Sequence, residues 1–256
     1  MSIWEAAAIA VAGCGAGVIN TVVGSGTLIT FPTLLAFGVP PVTANVSNTI
    51  GLVPGSLAGA WGYRDHLVGQ RSRVLRLLTA SLLGGVAGAV LLLVLPEDAF
   101  AAIVPVLIAL GVLLVVVQPP FSAWLTARAE ARGIERADGH QAWWVWPLVL
   151  LTGIYGGYFG AAQGVLLMGV LGIGVAQSLQ HSNAVKNVLA AGVNAVAGAI
   201  FVVVADVDWG VAALIAAGAI VGGLLGARVG KALPAPVLRG VIVLVGVIAL
   251  ISFVLT

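Results

Sequence analysis

The sequence predicts an all-α polytopic membrane protein, and three observations predict it. Mean hydropathy is +1.15. Only 8% of the 256 residues are charged, against about 25% in soluble domains. Uncharged apolar stretches of about 20 residues also recur, the length of helix that crosses a hydrocarbon core roughly 30 Å thick.

The apolar runs lie at 5–37, 43–63, 74–95, 99–117, 143–173, 179–204, 209–227 and 235–255. The polar breaks between them differ in sign. Arg64, Arg71, Arg73 and Arg76 fill one, Arg128, Arg132 and Arg136 a second, and Arg228, Lys231 and Arg239 a third. Glu97-Asp98 and the pair Asp206 and Asp208 mark two acidic breaks. Lys and Arg resist translocation, whereas acids vote weakly. The basic breaks are therefore expected inside the cell and the acidic ones outside, which puts both termini on the extracytoplasmic side. Met1–Glu5 carries no positive stretch, so no cleaved leader is expected. Cys14 is the single cysteine and can form no intrachain disulfide.

Taken in order, the run 5–37 is too long for one straight crossing. It breaks at Gly24-Ser25-Gly26-Thr27, and Pro32 follows, where a ring replaces a helical N–H. Three single crossings come next, at 43–63, 74–95 and 99–117. The stretch 118–142 reads as a mixed-charge cytoplasmic linker. The run 143–173 must pass an even number of times if Asp206 is to lie outside. About 31 helical residues measure roughly 47 Å, which suits a hairpin of two short helices, re-entrant or tilted, broken near Gly160–Gly164. Three further crossings complete the chain. Trp143, Trp144, Trp146 and Trp209 mark interfaces, where amphipathic rings settle.

The two halves repeat at a shift of 136 to 138 residues. Gly17, Gly24 and Gly38 match Gly153, Gly160 and Gly174. Gly84-Gly85-x-x-Gly88-Ala89 matches Gly222-Gly223-x-x-Gly226-Ala227, and Leu95-Pro96 matches Leu233-Pro234. Ser47-Asn48 aligns with Ser182-Asn183 at a shift of 135. Each unit is a short-helix hairpin plus three transmembrane helices, an odd number of crossings, so the second unit must be inverted. The expected organisation is a first repeat at 1–117, the linker at 118–142 and an inverted second repeat at 143–256. Inverted repeats around a midplane site are a recurrent design of secondary transporters.

Irregular backbone at membrane depth is tolerated only where protein or a water-filled cavity satisfies it. The hairpin tips are therefore the first candidate site. In the first, Gly24 and Gly26 free the backbone and Ser25 and Thr27 add hydroxyls. In the second, Gly160 to Gly164 plays the same part, with Ala161 in the turn and Gln163 supplying an amide. Helices starting after each tip aim positive dipole ends at one spot, which suits a small anion. The competing reading is that the glycines only let helices pack closely. Ser47-Asn48 and Ser182-Asn183 are candidates both as helix caps and as chamber-facing polar groups. Lys186 is the one basic residue outside the three breaks. It either snorkels to the near interface or serves an anion within the membrane. Asn194 reads as helix-to-helix glue, and His181 as a hydrated interfacial group.

The stretch Gly24–Pro32, Gly38, the Gly153–Gly164 hairpin, Ser182-Asn183-x-x-Lys186-Asn187, Asp208-Trp209 and Gly222-Gly223-x-x-Gly226-Ala227-Arg228 resemble the sulfite exporter TauE/SafE family of membrane permeases. The resemblance covers nearly the whole chain except 118–142. It implies export of a small sulfur-containing anion, such as sulfite or a sulfonate, across a bacterial inner membrane. It also implies that Gly24, Ser25, Gly26 and Thr27 form one half of the site and Gly160 to Gly164 the other. Many members carry a denser glycine run at the second tip, where this chain has Ala161, Ala162 and Gln163.

The partners expected are a small anionic substrate and the lipid bilayer, with a homodimer left open and no nucleic acid. No cofactor or metal is expected. An intramembrane enzyme would need a nucleophile with its base, a carboxylate pair or a metal cluster at membrane depth. The acids sit in breaks or at the N-terminus, and His66, His140 and His181 are scattered. An anion channel, or a carrier of an unrelated small organic anion, remains the alternative.

Overall fold

The computed structural model describes residues 1–131, 141–175, 177–229 and 235–255. In order, the helices are α1 (Ile3–Val22), α2 (Thr27–Ala36), α3 (Pro41–Gly62), α4 (Arg71–Val94), α5 (Glu97–Ala131), α6 (Val145–Tyr158), α7 (Gln163–Gly174), α8 (Leu179–Val204), α9 (Trp209–Val229) and α10 (Ala235–Leu255). Among the described residues no strand forms beyond an isolated bridge between Gln141 and Val175. Five helices are long and apolar enough to cross a membrane: α1, α4, the Glu97–Pro120 part of α5, α8 and α9. Side chains such as Val203 and Val94 stand 81% and 75% exposed on their outer faces, as a lipid-facing surface requires. The protein is an all-α polytopic membrane protein.

Both overlong runs break where expected, but the two hairpins differ. The first joins a 20-residue helix to a 10-residue one. The second joins helices of 14 and 12 residues. α1 is thus long enough to cross by itself and is not one of a short pair. The reason is its small-residue face. A Cβ on Gly13 would lie 2.8 Å from the Ile215 carbonyl oxygen, and one on Gly17 would lie 2.5 Å from that of Ala219. That contact with α9 supports α1 over its whole length. The expected linker begins as a continuation of α5, which runs through Pro119 and Pro120 to Ala131. Its segment 132–140, with Arg132, Arg136 and His140, and the residue Lys231 lie outside the described residues.

Helix pairing follows one pattern. α1 packs on α9 and α6 on α4; α3 packs on α9 and α8 on α4; α2 touches α10 and α7 touches α5. α3 meets α8, and α5 meets α10. Small residues set the closest pairs. A Cβ on Gly222 would lie 2.0 Å from the Cys14 oxygen, and one on Gly84 would lie 2.3 Å from that of Leu150. α3 is too polar to count as an apolar span, because it turns Asn45, Ser47, Asn48, Thr49 and Ser56 into the protein, all buried. Polar helices of this kind need partners inside a membrane, and the hairpin tips provide them.

A candidate anion site where two hairpin tips meet

Each hairpin turns in the same way. After α1, the N–H groups of Val23 and Gly24 both donate to the Ile19 carbonyl, at 2.7 and 2.8 Å. After α6, those of Phe159 and Gly160 both donate to the Tyr155 carbonyl, at 3.0 and 3.1 Å. The chain then reverses through positive φ, at Gly24 (92°) and Gly160 (76°), a region open to glycine at no steric cost. Ala162, the cap of α7, sits at φ 62° without that freedom. The first tip folds back against its own helix. The Gly26 N–H donates to Asn20 Oδ1 at 3.3 Å, and residues 23–32 are buried throughout.

The tips touch through bare backbone. The Gly164 N–H donates to the Gly24 carbonyl at 3.0 Å. A Cβ on Gly24 would lie 2.4 Å from the Gly164 Cα, and one on Gly164 would lie 2.5 Å from the Gly24 Cα. Thr27 Oγ1 flanks Gly160, 4.0 Å from where a Cβ there would stand. Phe31 and Phe159 close the contact edge to face, 5.1 Å apart at 89°. The packing reading of these glycines therefore holds. The close approach is what brings Ser25, Thr27 and Gln163 to one place.

α8 supplies the charge. Lys186 is fully buried, so it does not snorkel. Its Nζ donates to the Asn20 and Thr21 carbonyls at 3.1 and 3.2 Å. Asn183 and Asn187 also donate through Nδ2 to the Thr21 carbonyl, at 3.3 and 3.4 Å. These carbonyls belong to the last turn of α1, where no further turn of helix supplies N–H groups and the dipole is negative. The Lys186 stem also borders the second tip, its Cδ lying 3.1 Å from where a Cβ on Gly164 would stand. Among the described residues Lys186 has no carboxylate partner. Among the described residues the one ion pair is Arg64 with Asp65, exposed and 3.9 Å apart.

α3 does the complementary work. Asn45 Nδ2 donates to the Tyr158 carbonyl, at the end of α6, at 2.9 Å. Asn48 accepts from Thr30 Oγ1 and donates to Thr27 Oγ1 at 3.4 Å, fixing the start of α2. Around this junction the Ser25 hydroxyl, the Gln163 Nε2, the Asn45 Oδ1 and the Tyr158 hydroxyl are buried without a protein partner. Buried polar groups are ordinarily satisfied, and these sit on the two tips and the helix that clamps them. The Gln163 amide also fills the space over Gly156, where a Cβ would lie 2.3 Å from the Gln163 Cδ. The Ala161 carbonyl accepts from the Tyr155 hydroxyl at 2.5 Å.

Nine of the eleven expected site residues gather here: Gly24, Ser25, Gly26, Thr27, Asn48, Ala161, Gln163, Asn183 and Lys186. The hydroxyls of Ser47 and Ser182 are engaged elsewhere. Ser47 accepts from the Asp208 N–H at 2.9 Å, and Ser182 from Gln177 Nε2 at 3.1 Å. Neither serine–asparagine pair caps a helix. α3 starts at Pro41 without a side-chain cap, and Ser178 caps α8. Asn194 donates to Ser56 Oγ at 3.2 Å, between α8 and α3, which is the gluing role expected of it. His181 meets Ser178 Oγ through Nδ1 at 2.7 Å and lies 5.7 Å from the His66 ring.

Sequence reasoning missed Asn45, Asn20 and Thr30. Asn45 was within reach. The shift of 138 that pairs Gly84 with Gly222 also pairs Asn45 with Asn183 and Asn48 with Lys186. Asn45 and Asn183 do equivalent things, each donating an amide to the last turn of a hairpin's first helix. The shift of 135 chosen for the serine–asparagine pairs hid that.

Comparison with known proteins agrees with the architecture. A model of the family described as sulfite exporter TauE/SafE matches residues 9–253. A "Probable membrane transporter protein ORF9" from Sinorhizobium sp. is 28% identical over 244 residues, covering 91% of this chain and 85% of its own. No solved structure matches. With tips, spans and motifs falling in one frame and the match running almost end to end, the chain belongs to the sulfite exporter TauE/SafE family of membrane transporters.

Proposed function

We propose that the protein is a secondary transporter, working as an exporter, of a small sulfur-containing oxyanion such as sulfite or a small sulfonate. The anion binds at the junction of the two hairpin tips. The observation that carries this reading is Lys186: a fully buried ammonium held by carbonyls at the end of α1, with no acid paired to it among the described residues and its stem against the second tip. An anion drawn to that charge would meet the unpartnered donors of Ser25, Gln163 and Tyr158, and the positive ends of α2 and α7. Direction follows from the membrane potential, since an inside-negative voltage drives an anion outward by about 2.3 kcal/mol per charge per 100 mV.

The two halves act as inverted repeats, so that opposed movements expose one site to each side in turn. Exchanging α1–α5 for α6–α10 in order converts each helix pairing described above into another of the set or, for α3 with α8 and α5 with α10, into itself, which supports this reading. Sidedness in the bacterial inner membrane follows the charges, with both termini extracytoplasmic. Two contacts support that grouping. The Met1 Cε lies 4.0 Å from where a Cβ on Gly210 would stand, beside acidic Asp208. At the opposite end Arg73, in the basic break, donates to Gln177 Oε1 at 2.9 Å, just before α8.

The test separates charge from scaffolding. Lys186→Gln keeps a donor for the α1 carbonyls but removes the charge, whereas Lys186→Ala removes both. In proteoliposomes, both variants are expected to lose saturable sulfite flux by at least about tenfold. Lys186→Ala is also expected to unfold at lower temperature, because it leaves the Asn20 carbonyl without its donor, at about 1–3 kcal/mol. Normal flux in Lys186→Gln would show that the residue only braces α1. Ohmic single-channel current in place of saturable flux would favour a channel.

A further inference from the structure

Away from the tips, α5 and α10 leave a groove between them of about 530 Å³. Its walls are Val115, Val116, Val243, Leu244 and Val247, and Arg239 stands at one end. Leu244 and Val116 are 61% and 51% exposed, so the groove opens to the surroundings of the helix bundle. Beside Arg239 the floor is clear, with nothing within 4 Å of where a Cβ on Gly240 would lie.

Arg239 is poorly matched to its protein surroundings. Its Nη2 reaches Gln118 Oε1 only at 3.5 Å, and its Nε is buried without a partner. Among the described residues no carboxylate pairs with it. It is the fifth residue of α10, about 6 Å from the helix start, where a cation opposes the dipole. An anion at that point would satisfy Nε, offset the dipole and neutralise the guanidinium. The valine and leucine walls suit a hydrocarbon chain.

We propose that this groove is a binding site for an anionic glycerophospholipid, its phosphate on Arg239 and Gln118 and an acyl chain along the valine–leucine wall. Arginine matches phosphate geometry in paired hydrogen bonds. Basic pockets between transmembrane helices on the side that carries the basic breaks are recurrent headgroup sites. The site is separate from the hairpin junction, so it stands or falls independently of the substrate.

The experiment uses the full chain, purified in detergent, stripped of lipid and mixed with phosphatidylglycerol or phosphatidylethanolamine of the same acyl chains. Retained lipid is read by native mass spectrometry. Phosphatidylglycerol should be retained over phosphatidylethanolamine by about tenfold, because both offer Arg239 a phosphate but the ethanolamine ammonium offsets its charge and is repelled by the guanidinium. Arg239→Gln should abolish that preference, and Val243→Trp, which fills the groove, should lower retention of both lipids. Soluble glycerol 3-phosphate should not be retained. An unchanged preference in Arg239→Gln, full retention in Val243→Trp, or retention of glycerol 3-phosphate equal to that of the lipid would overturn the proposal.

Discussion

Burying an ammonium costs far more than burying an amide, and the cost falls only when charge or dipoles answer it. At Lys186 the answer is partial. Two carbonyls from the negative end of α1 face Nζ, but a full opposite charge is missing. Under the proposed function, that shortfall would give a single residue leverage over anion binding. Its position also explains why its depth was legible and its partners were not. A lysine seven residues into an apolar helix announces itself in any reading of the chain, whereas the carbonyls it meets lie some 165 positions away and carry no side-chain signature. Ala162 poses a different residue-scale question. A non-glycine residue in the left-handed region costs roughly 1–2 kcal/mol, and Ala162 holds φ 62° at the second tip, where glycine would be free. Ala162→Gly is therefore expected to stabilise the protein by about 1 kcal/mol after the added unfolded-state entropy of glycine is subtracted. Thermal unfolding in detergent checks it. A lower midpoint would mean that the Ala162 methyl makes packing contacts worth more than the strain.

At the scale of helices, the stability of the bundle rests on backbone approaching backbone. In lipid the hydrophobic effect gives helices no reason to associate, so close packing of small residues must do it. Gly88 and Gly15 make a controlled comparison. A Cβ on Gly88 would lie 2.0 Å from the Ile154 carbonyl oxygen, whereas one on Gly15 meets nothing within 4 Å. Gly88→Ala should force α6 away from α4 and lower stability by about 1–3 kcal/mol, the range for overpacking. Gly15→Ala should be neutral or raise stability by up to ~1 kcal/mol through helix propensity. Equal unfolding midpoints for the two variants would refute the assignment of α4–α6 as a backbone-to-backbone contact. The same physics governs what could be read in advance. Apolar length and glycine punctuation located the helices, including both broken runs, because those signals are local. The unequal first hairpin was hidden, because α1 owes its full length to α9, some 200 residues away. The end of α5 was hidden too, since Pro119-Pro120 reads locally as a stop and the helix passes through it.

For the whole molecule, charge and parity make one joint claim. An odd number of crossings in each half and alternating basic and acidic breaks together require opposite sidedness for the two ends of α4. Ser72, near its start, and Asp98, just past its end, are both exposed. Cys14 is the only native cysteine, so a Cys14→Ala background gives a clean reporter. In it, Asp98→Cys and Asp206→Cys are expected to react with an impermeant maleimide added to intact spheroplasts. Ser72→Cys is expected to react only after permeabilisation. Asp206 is the informative site. It lies outside only if the α6–α7 hairpin returns to the side it came from, so its labelling tests the hairpin, the inversion and the charge rule at once. If Asp206→Cys labelled with Ser72→Cys, the second half would have the same orientation as the first. The two tips would then approach from one side, and α1 and α6 could not present their carbonyl ends to opposed clamps at Asn183 and Asn45. The hydrogen bonds from those two asparagines, made at equivalent points on the two hairpins, are the structural reason to expect the other result.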